Sequence, residues 1–339
     1  MNSSGKGVSS GLTEVSRLAG FLRWCLQNRV RGSSWLTNFL SYRVDELQHV
    51  PLDIPGWAPV YVDLRIPNAH LMLVESPYSG LWRELDEVEI MSRFVGAGDI
   101  VFDIGANFGL HSIVLSRLVG SSGRVCAFEP NSELLPVLKH TIGQLGNATL
   151  HGFALSDKEA ESVLFVPADD STASLADWTV ESPVFSQDGP SHTVRCREYR
   201  IDDLIEAGTL PNPDFIKCDV EGAELLVFQG AQRTLNQINA PIILFEANEC
   251  ASRAFNLTDS AAKDFLTALD EPSYRFFEVQ KGGTLTKLNK ISSGLINILA
   301  VPESKLVGSE SRDCVFSELV PGLHVNAGSD LSRLQAGTF

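Results

Sequence analysis

VFDIGANFG, residues 101–109, closes a run that reads as a buried strand and turns through two glycines into an apolar helix, with an acid at the strand's mouth. A strand, a glycine turn and a helix in that order place backbone N–H groups at the carboxyl end of a parallel sheet, where such folds bind their ligands. A dinucleotide loop wants G-x-G-x-x-G, because its middle glycine lets the backbone approach a diphosphate. Here the series is Asp103, Gly105, Asn107, Gly109. Asn107 fills the middle position, and Asp103 adds negative charge where a diphosphate would have to lie. A cationic ligand reverses that objection, since two unit charges about 4 Å apart attract by about 4 kcal/mol at an effective dielectric of about 20.

Outward from this turn, residues 99 to 300 alternate strand-like and helix-like runs, the pattern of a mainly parallel sheet covered on both faces. The expected core strands are 99–104, 124–130, 148–155, 213–220, 241–248, 274–279 and 295–301, with helices over 110–119, 131–145, 221–236 and 258–270. Between the third and fourth strands, residues 157–210 hold two short β-like pieces, SVLFVP and HTVRCREY, and this insertion is expected to edge the ligand site. Before the sheet, residues 58–76 alternate strand-like as VYVDLRI and AHLMLVE, and 83–95 reads as an amphipathic helix. Residues 12–48 read as helical, with Leu18, Leu22, Trp24, Cys25, Leu26, Val30, Trp35, Phe39 and Leu40 at roughly helical spacing among five arginines. That segment suits a cap on the main domain, a dimer surface or a membrane-surface helix, with packing against the main domain or its twin favoured.

A formal net charge of −15 argues against a nucleic-acid backbone as the main partner. No apolar run is long enough to cross a bilayer, and the N-terminus lacks the apolar region of a secretory signal. Six cysteines without CxxC spacing read as reduced thiols, so the expectation is a cytoplasmic protein.

The second strand ends in Phe128-Glu129-Pro130, at the usual reach beyond Gly105 for an acid that accepts both ribose hydroxyls of an adenosine-type cofactor. A further motif, IKCDVEG at 216–222, puts Lys217 and Asp219 on one face of a strand by period-two alternation, with Glu221 beginning the next helix.

These stretches together resemble the FkbM family of S-adenosylmethionine-dependent methyltransferases. The resemblance covers about residues 85–300 in the family order: ELDEVEIMSRFV, GDIVFDIGANFG, FEPN, FALSD, then IKCDVEGAE and a strand with FEAN. It implies an α/β Rossmann-like methyltransferase fold with a mainly parallel seven-stranded sheet, helices on both faces and an N-terminal helical/β cap. The expected divisions are 1–80, a cap or oligomerisation segment; 81–302, the methyltransferase domain; and 303–339, a tail, loosely ordered over 325–339.

The cofactor implied is S-adenosylmethionine, whose ammonium and sulfonium answer the charge of Asp103; its binding residues would be Asp103, Gly105, Asn107, Gly109, Glu129, Leu155, Ser156, Asp157 and Asp219. The residues 155–157 would meet adenine. The catalytic candidates are Asp219, Lys217, Glu221, Glu246 and His111. Crowded carboxylates raise one another's pKa and so suit a general base near neutral pH. His111, in the first turn of its helix, is expected to be neutral because of the helix dipole. Asp219, Glu246 and Asn248 could offer oxygen ligands to Mg²⁺, but the resemblance requires no metal and none is assigned. The reading is O-methylation of a hydroxyl on a sugar, polyketide or other small molecule or glycan, with a homodimer through the N-terminal segment as a further possibility. The alternatives are an NAD(P)-dependent oxidoreductase, disfavoured by Asp103 and Asn107, and a non-catalytic binding module.

Overall fold

The computed structural model describes residues 16–54, 57–75, 84–167, 172–177, 192–291 and 294–306. Arg83 and the tail beyond 306 lie outside them, so the expectation for 325–339 falls there too.

The main sheet holds eight strands. Five neighbours run parallel: β10 (Ile242–Asn248), β9 (Phe215–Cys218), β3 (Ile100–Ile104), β4 (Arg124–Phe128) and β5 (Ala148–His151), in that spatial order. Beyond β10 come β13 (Leu295–Pro302), β11 (Tyr274–Gln280) and β12 (Thr284–Lys287), each antiparallel to the one before. The seven expected strands are therefore present, and the eighth, β12, is the return arm of a hairpin that turns at Gly282-Gly283. The sheet is Rossmann-like, and its strand order reverses between β3 and β9, which is where such sheets bind ligands.

Alternation along the strands divides the core. Phe102, Ile104, Cys126, Phe128, Ile216, Cys218 and Phe245 pack on one face against α8 (Glu224–Gly230). Val101, Val125, Phe215 and Leu244 pack on the other, against α4 (Leu85–Phe94) and α5 (Leu110–Val119). Asp103 and Lys217 share this second face in sequence parity, so the sheet carries two charged groups where its neighbours are apolar.

Three expectations need correction. AHLMLVE is not a strand but most of α3 (Pro67–Glu75): Pro67 suits the first helical position, and Ala, Leu, Met and Glu are strong helix formers. ATLHGFAL does not form one strand. After β5 the chain bends at Gly152, and β6 (Ala154–Leu155) joins a separate three-stranded sheet with β8 (His192–Tyr199) and β7 (Ala160–Val166), which are the two pieces of the insertion. After the insertion comes α7 (Ile201–Glu206), and the helix expected over 221–236 starts late and breaks into α8 and α9 (Gln232–Leu235).

The N-terminal segment forms α1 (Arg17–Gln27), α2 (Ser33–Ser41) and the hairpin of β1 (Val50–Leu52) with β2 (Val60–Val62). It packs on the main domain. Ala19, Leu22, Leu47, Val60 and Leu73 form one core with Phe108 and Ile113 from the glycine turn and α5, and with Leu134 and Val137 from α6 (Leu135–Gly143) and the residue before it. Full burial of a leucine or isoleucine contributes about 2 kcal/mol, so this shared core couples the cap to the loops after β3 and β4.

Candidate active site

A cavity of about 490 Å³ opens at the carboxyl ends of β3, β4, β9 and β10. Its floor is set by Gly105. That residue has φ +83°, and a Cβ built there would lie 1.9 Å from the Asp219 carbonyl oxygen, so only glycine lets the turns after β3 and β9 cross so closely. The Gly105 and Ala106 N–H groups both donate to the Phe128 carbonyl (3.0 and 2.9 Å), and the Gly109 N–H donates to the Ala106 carbonyl (2.7 Å). The Asn107 N–H donates to Glu129 Oε2 (2.9 Å). The N–H groups at these four positions are thus engaged within the protein, which leaves none of the four to cradle a diphosphate.

Glu129 follows β4 and is buried, with Oε1 accepting from the Asn131 N–H (2.8 Å). Burial raises its pKa to about 7 against the pull of these two backbone donors. Its neighbours on the cavity wall are Pro130, Leu134, Phe153, Ala154 and Leu155, with Leu164 and 172–175 of the insertion. An acid beside an apolar slot is the pairing of surfaces that a ribose joined to a purine calls for. The cradle at Gly105, the engaged N–H groups and this slot together fit S-adenosylmethionine.

The opposite end is polar. Lys217 is buried, with Nζ 3.0 Å from Asp219 Oδ2. Burial works against its ammonium, yet Asp219, Asp103, Glu87 and Glu84 together hold its pKa above the usual lysine range. Glu246 lies near the end of β10, opposite Asn297 of β13, whose Nδ2 donates to Glu87 Oε1 (2.9 Å). Asn248 Nδ2 reaches both Glu221 Oε2 and Glu246 Oε1 at 3.4 Å. Burial first, then the neighbouring acids, push Glu221 and Glu246 well above ordinary carboxyl pKa values. His111 Nε2 is buried 3.2 Å from Glu84 Oε2 and 3.6 Å from Glu87 Oε2, out of hydrogen-bond geometry. Its pKa is lowered well below normal by burial and then by Lys217, which keeps it neutral.

Of the residues singled out in the sequence, Gly105, Asn107, His111, Glu129, Leu155, Lys217, Asp219, Glu221 and Glu246 line the cavity. Asp103, Gly109, Ser156 and Asp157 do not. Asp103 is fully buried beneath it, with Ser112 Oγ donating to Oδ2 (2.5 Å), so its charge answers Lys217 directly and a ligand only through it. Gly109 faces Leu138 and Thr141 of α6. The Ser156 N–H is taken by the Tyr199 carbonyl, and its hydroxyl donates to Asp157. Glu221 does not begin a helix: it sits in the turn before α8 with φ +52°, next to Gly222, where a Cβ would strike the Ala251 backbone. The acid at the helix start is Glu224, whose Oε1 accepts from the Val220 and Gly222 N–H groups and fixes that turn. The sequence reading missed Glu84, Glu87, Asn297 and Glu224. The acidic helix and the second acid of VEGAE were the available signals.

Among the described residues, Asp219, Glu221 and Glu246 also offer three carboxylate oxygens within 4.8 Å of one another. Lys217 already places a cation on one of the three.

An α/β domain with an adenosine-type slot and a carboxylate-rich pocket at its switch point defines the class. The sequence matches the methyltransferase FkbM domain over residues 103–276, and the chain belongs to that family. The hexuronic acid methyltransferase AglP of Haloferax volcanii is 25% identical over 174 residues, 49% of this chain and 66% of that protein. The AMB antimetabolite synthetase AmbE of Pseudomonas aeruginosa is 27% identical over 206 residues, 50% of this chain and 10% of its own length. The chain thus spans less than two thirds of the curated relatives it matches. Among solved structures, the precorrin-6Y C5,15-methyltransferase of Geobacter metallireducens overlaps 64% of this chain and 88% of its own at 18% identity, with a TM-score of 0.35.

Proposed function

We propose that this protein is an S-adenosylmethionine-dependent methyltransferase that methylates a hydroxyl of a sugar, polyketide or other small molecule or glycan. The observation that carries the reading is the polarity of one cavity: Glu129 and an apolar slot at one end, Lys217, Asp219, Glu221, Glu246 and Glu87 at the other. When bound, S-adenosylmethionine supplies an electrophilic methyl on a sulfonium.

Asp219, anchored by Lys217, is the residue assigned to the cationic methionine end. The acceptor oxygen must lose its proton as it attacks the methyl, and the Glu221–Glu246 pair is assigned to take it. Beside a cationic donor these carboxyls ionise, yet their burial leaves them stronger bases than exposed acids. The rest of the acceleration is alignment and exclusion of water, which the insertion and α3 support from the cavity rim. The hexuronic acid named for the Haloferax relative favours a sugar hydroxyl as the first acceptor to offer.

The test is to incubate the protein with S-adenosylmethionine and a panel of glycosides and polyketide alcohols, reading methylated product and S-adenosylhomocysteine by mass spectrometry. Product with the wild type and its loss in Glu246→Gln support the assignment. Equal turnover by the two proteins removes Glu246 from it.

A further inference from the structure

Helix α2 packs Leu36 and Leu40 on the N-terminal core and buries Ser33, Thr37 and Ser41, yet it leaves two of its largest apolar side chains, Trp35 and Phe39, 67% and 39% exposed. Two of the buried hydroxyls are satisfied within the helix: Thr37 Oγ1 donates to the Ser33 carbonyl (2.9 Å) and Ser41 Oγ to the Asn38 carbonyl (2.8 Å). Outside, the Trp35 and Phe39 rings stack at 5.1 Å and the Arg43 guanidinium lies 3.7 Å over Phe39. Helix α1 adds to the same kind of surface. It buries Ala19, Leu22 and Cys25 and leaves Phe21 and Trp24 more than half exposed. Isolated exposed apolar residues need no explanation, but five exposed aromatics within 22 residues, counting Tyr42, ask for a partner.

The charge of this segment identifies the partner's chemistry. Residues 16–44 contain five arginines and no acidic residue, in a chain whose formal net charge is −15. Arg17, Arg31 and Arg43 are exposed. Tryptophan and tyrosine favour the headgroup level of a bilayer, and arginine heads reach anionic headgroups while their stems lie along apolar surface. At 11 and 9 residues the two helices are too short to span, and no helix among the described residues is long and apolar enough to cross a membrane. Short helices with an aromatic face and a basic rim lie in the interface plane.

We propose that the exposed face of α1 and α2 docks on the surface of an anionic lipid bilayer. The proposal is independent of the methyltransferase reading, although the two meet in α3. Gln27 Nε2 of α1 donates to the Val74 carbonyl (2.9 Å), and Asn68, Leu71, Met72 and Glu75 of α3 line the cavity. Docking through α1 and α2 therefore brings one wall of the cavity toward the membrane surface.

The experiment is co-sedimentation of the full chain with vesicles of phosphatidylcholine alone and of phosphatidylcholine mixed with phosphatidylglycerol, with tryptophan emission as a second signal. Two variants, Trp24→Ser/Trp35→Ser and Arg17→Glu/Arg31→Glu, are compared at exposed positions, with circular dichroism and molecular mass in solution measured alongside. Expected are binding to the mixed vesicles, a blue shift in emission, weakening by salt, and at least a tenfold loss of partitioning in each folded variant. No binding to the anionic vesicles, or equal binding to both vesicle types, overturns the proposal, as does unchanged partitioning in both variants. A wild type that is dimeric and becomes monomeric in the tryptophan variant also overturns it, because the face would then be covered by a second copy.

Discussion

Lys217 stands directly opposite Asp103 in the parallel register of β3 and β9, and its Nζ holds Asp219 at the cavity 3.0 Å away. One buried cation thus links a carboxylate beneath the site to one inside it. Removing the cation leaves Asp103 buried with only Ser112 as a donor, and one Asp103 oxygen already lacks a partner. Lys217→Met is expected to cost about 3–5 kcal/mol, a fall of about 5 °C in Tm, and Asp103→Asn in the same chain should recover part of it. Thermal denaturation of the two single variants and the double variant checks the coupling.

At Gly105 the limit is space. A methyl group there would collide with the Asp219 carbonyl at 1.9 Å in a backbone conformation that side chains rarely adopt. Gly105→Ala is expected to destabilise the fold by about 2–3 kcal/mol and to abolish cofactor binding, because relief requires moving the turn that carries Asp219. Denaturant titration and calorimetry on one preparation report both effects.

Buried carboxyls set the pH response. Burial raises Glu87 to about 8 and Glu129 and Glu224 to about 7, from an ordinary value of 4.5. Between 4.5 and these values the folded chain holds more protons than the unfolded one, so stability falls as pH rises through that window. Tm should be higher near pH 5.5 than near pH 8. Glu87→Gln, which keeps a partner for Asn297, should flatten the upper part of that slope by about 1–2 kcal/mol. Thermal scans across this range check the sign.

Much of this was legible in the sequence, because the signals were local. The turn at Gly105, the acid at Glu129 and the pair Lys217 and Asp219 depend on residues adjacent along a strand or two positions apart, where spacing alone decides who shares a face. What was missed depends on distant contacts. Glu87 meets Asn297 across 210 residues, through an antiparallel strand whose direction no local pattern reveals. Likewise, helical spacing showed that Trp35 and Phe39 share a face but not that the face points outward. AHLMLVE misled because its short apolar alternation fits either period, and Pro67 settles it as a helix.

Glu246 separates chemistry from binding. As the proposed proton acceptor beside Glu221, it should lose about 10²–10⁴ in kcat as Glu246→Gln while cofactor affinity stays within about threefold. Activity should also survive a chelator, since Lys217 supplies the positive charge among these carboxylates. Steady-state kinetics with and without chelator test both statements, and loss of activity restored by Mg²⁺ would assign Asp219, Glu221 and Glu246 to a metal instead.

The central claim is that the cavity between Glu129 and Asp219 is a site for S-adenosylmethionine. Calorimetric titration of the wild type and of Glu129→Ala, with NAD as the control, tests it most directly. Saturable binding of S-adenosylmethionine and not NAD, weakened at least tenfold in the variant, is the result this account requires. Binding of NAD in preference, or S-adenosylmethionine binding indifferent to Glu129, would contradict it.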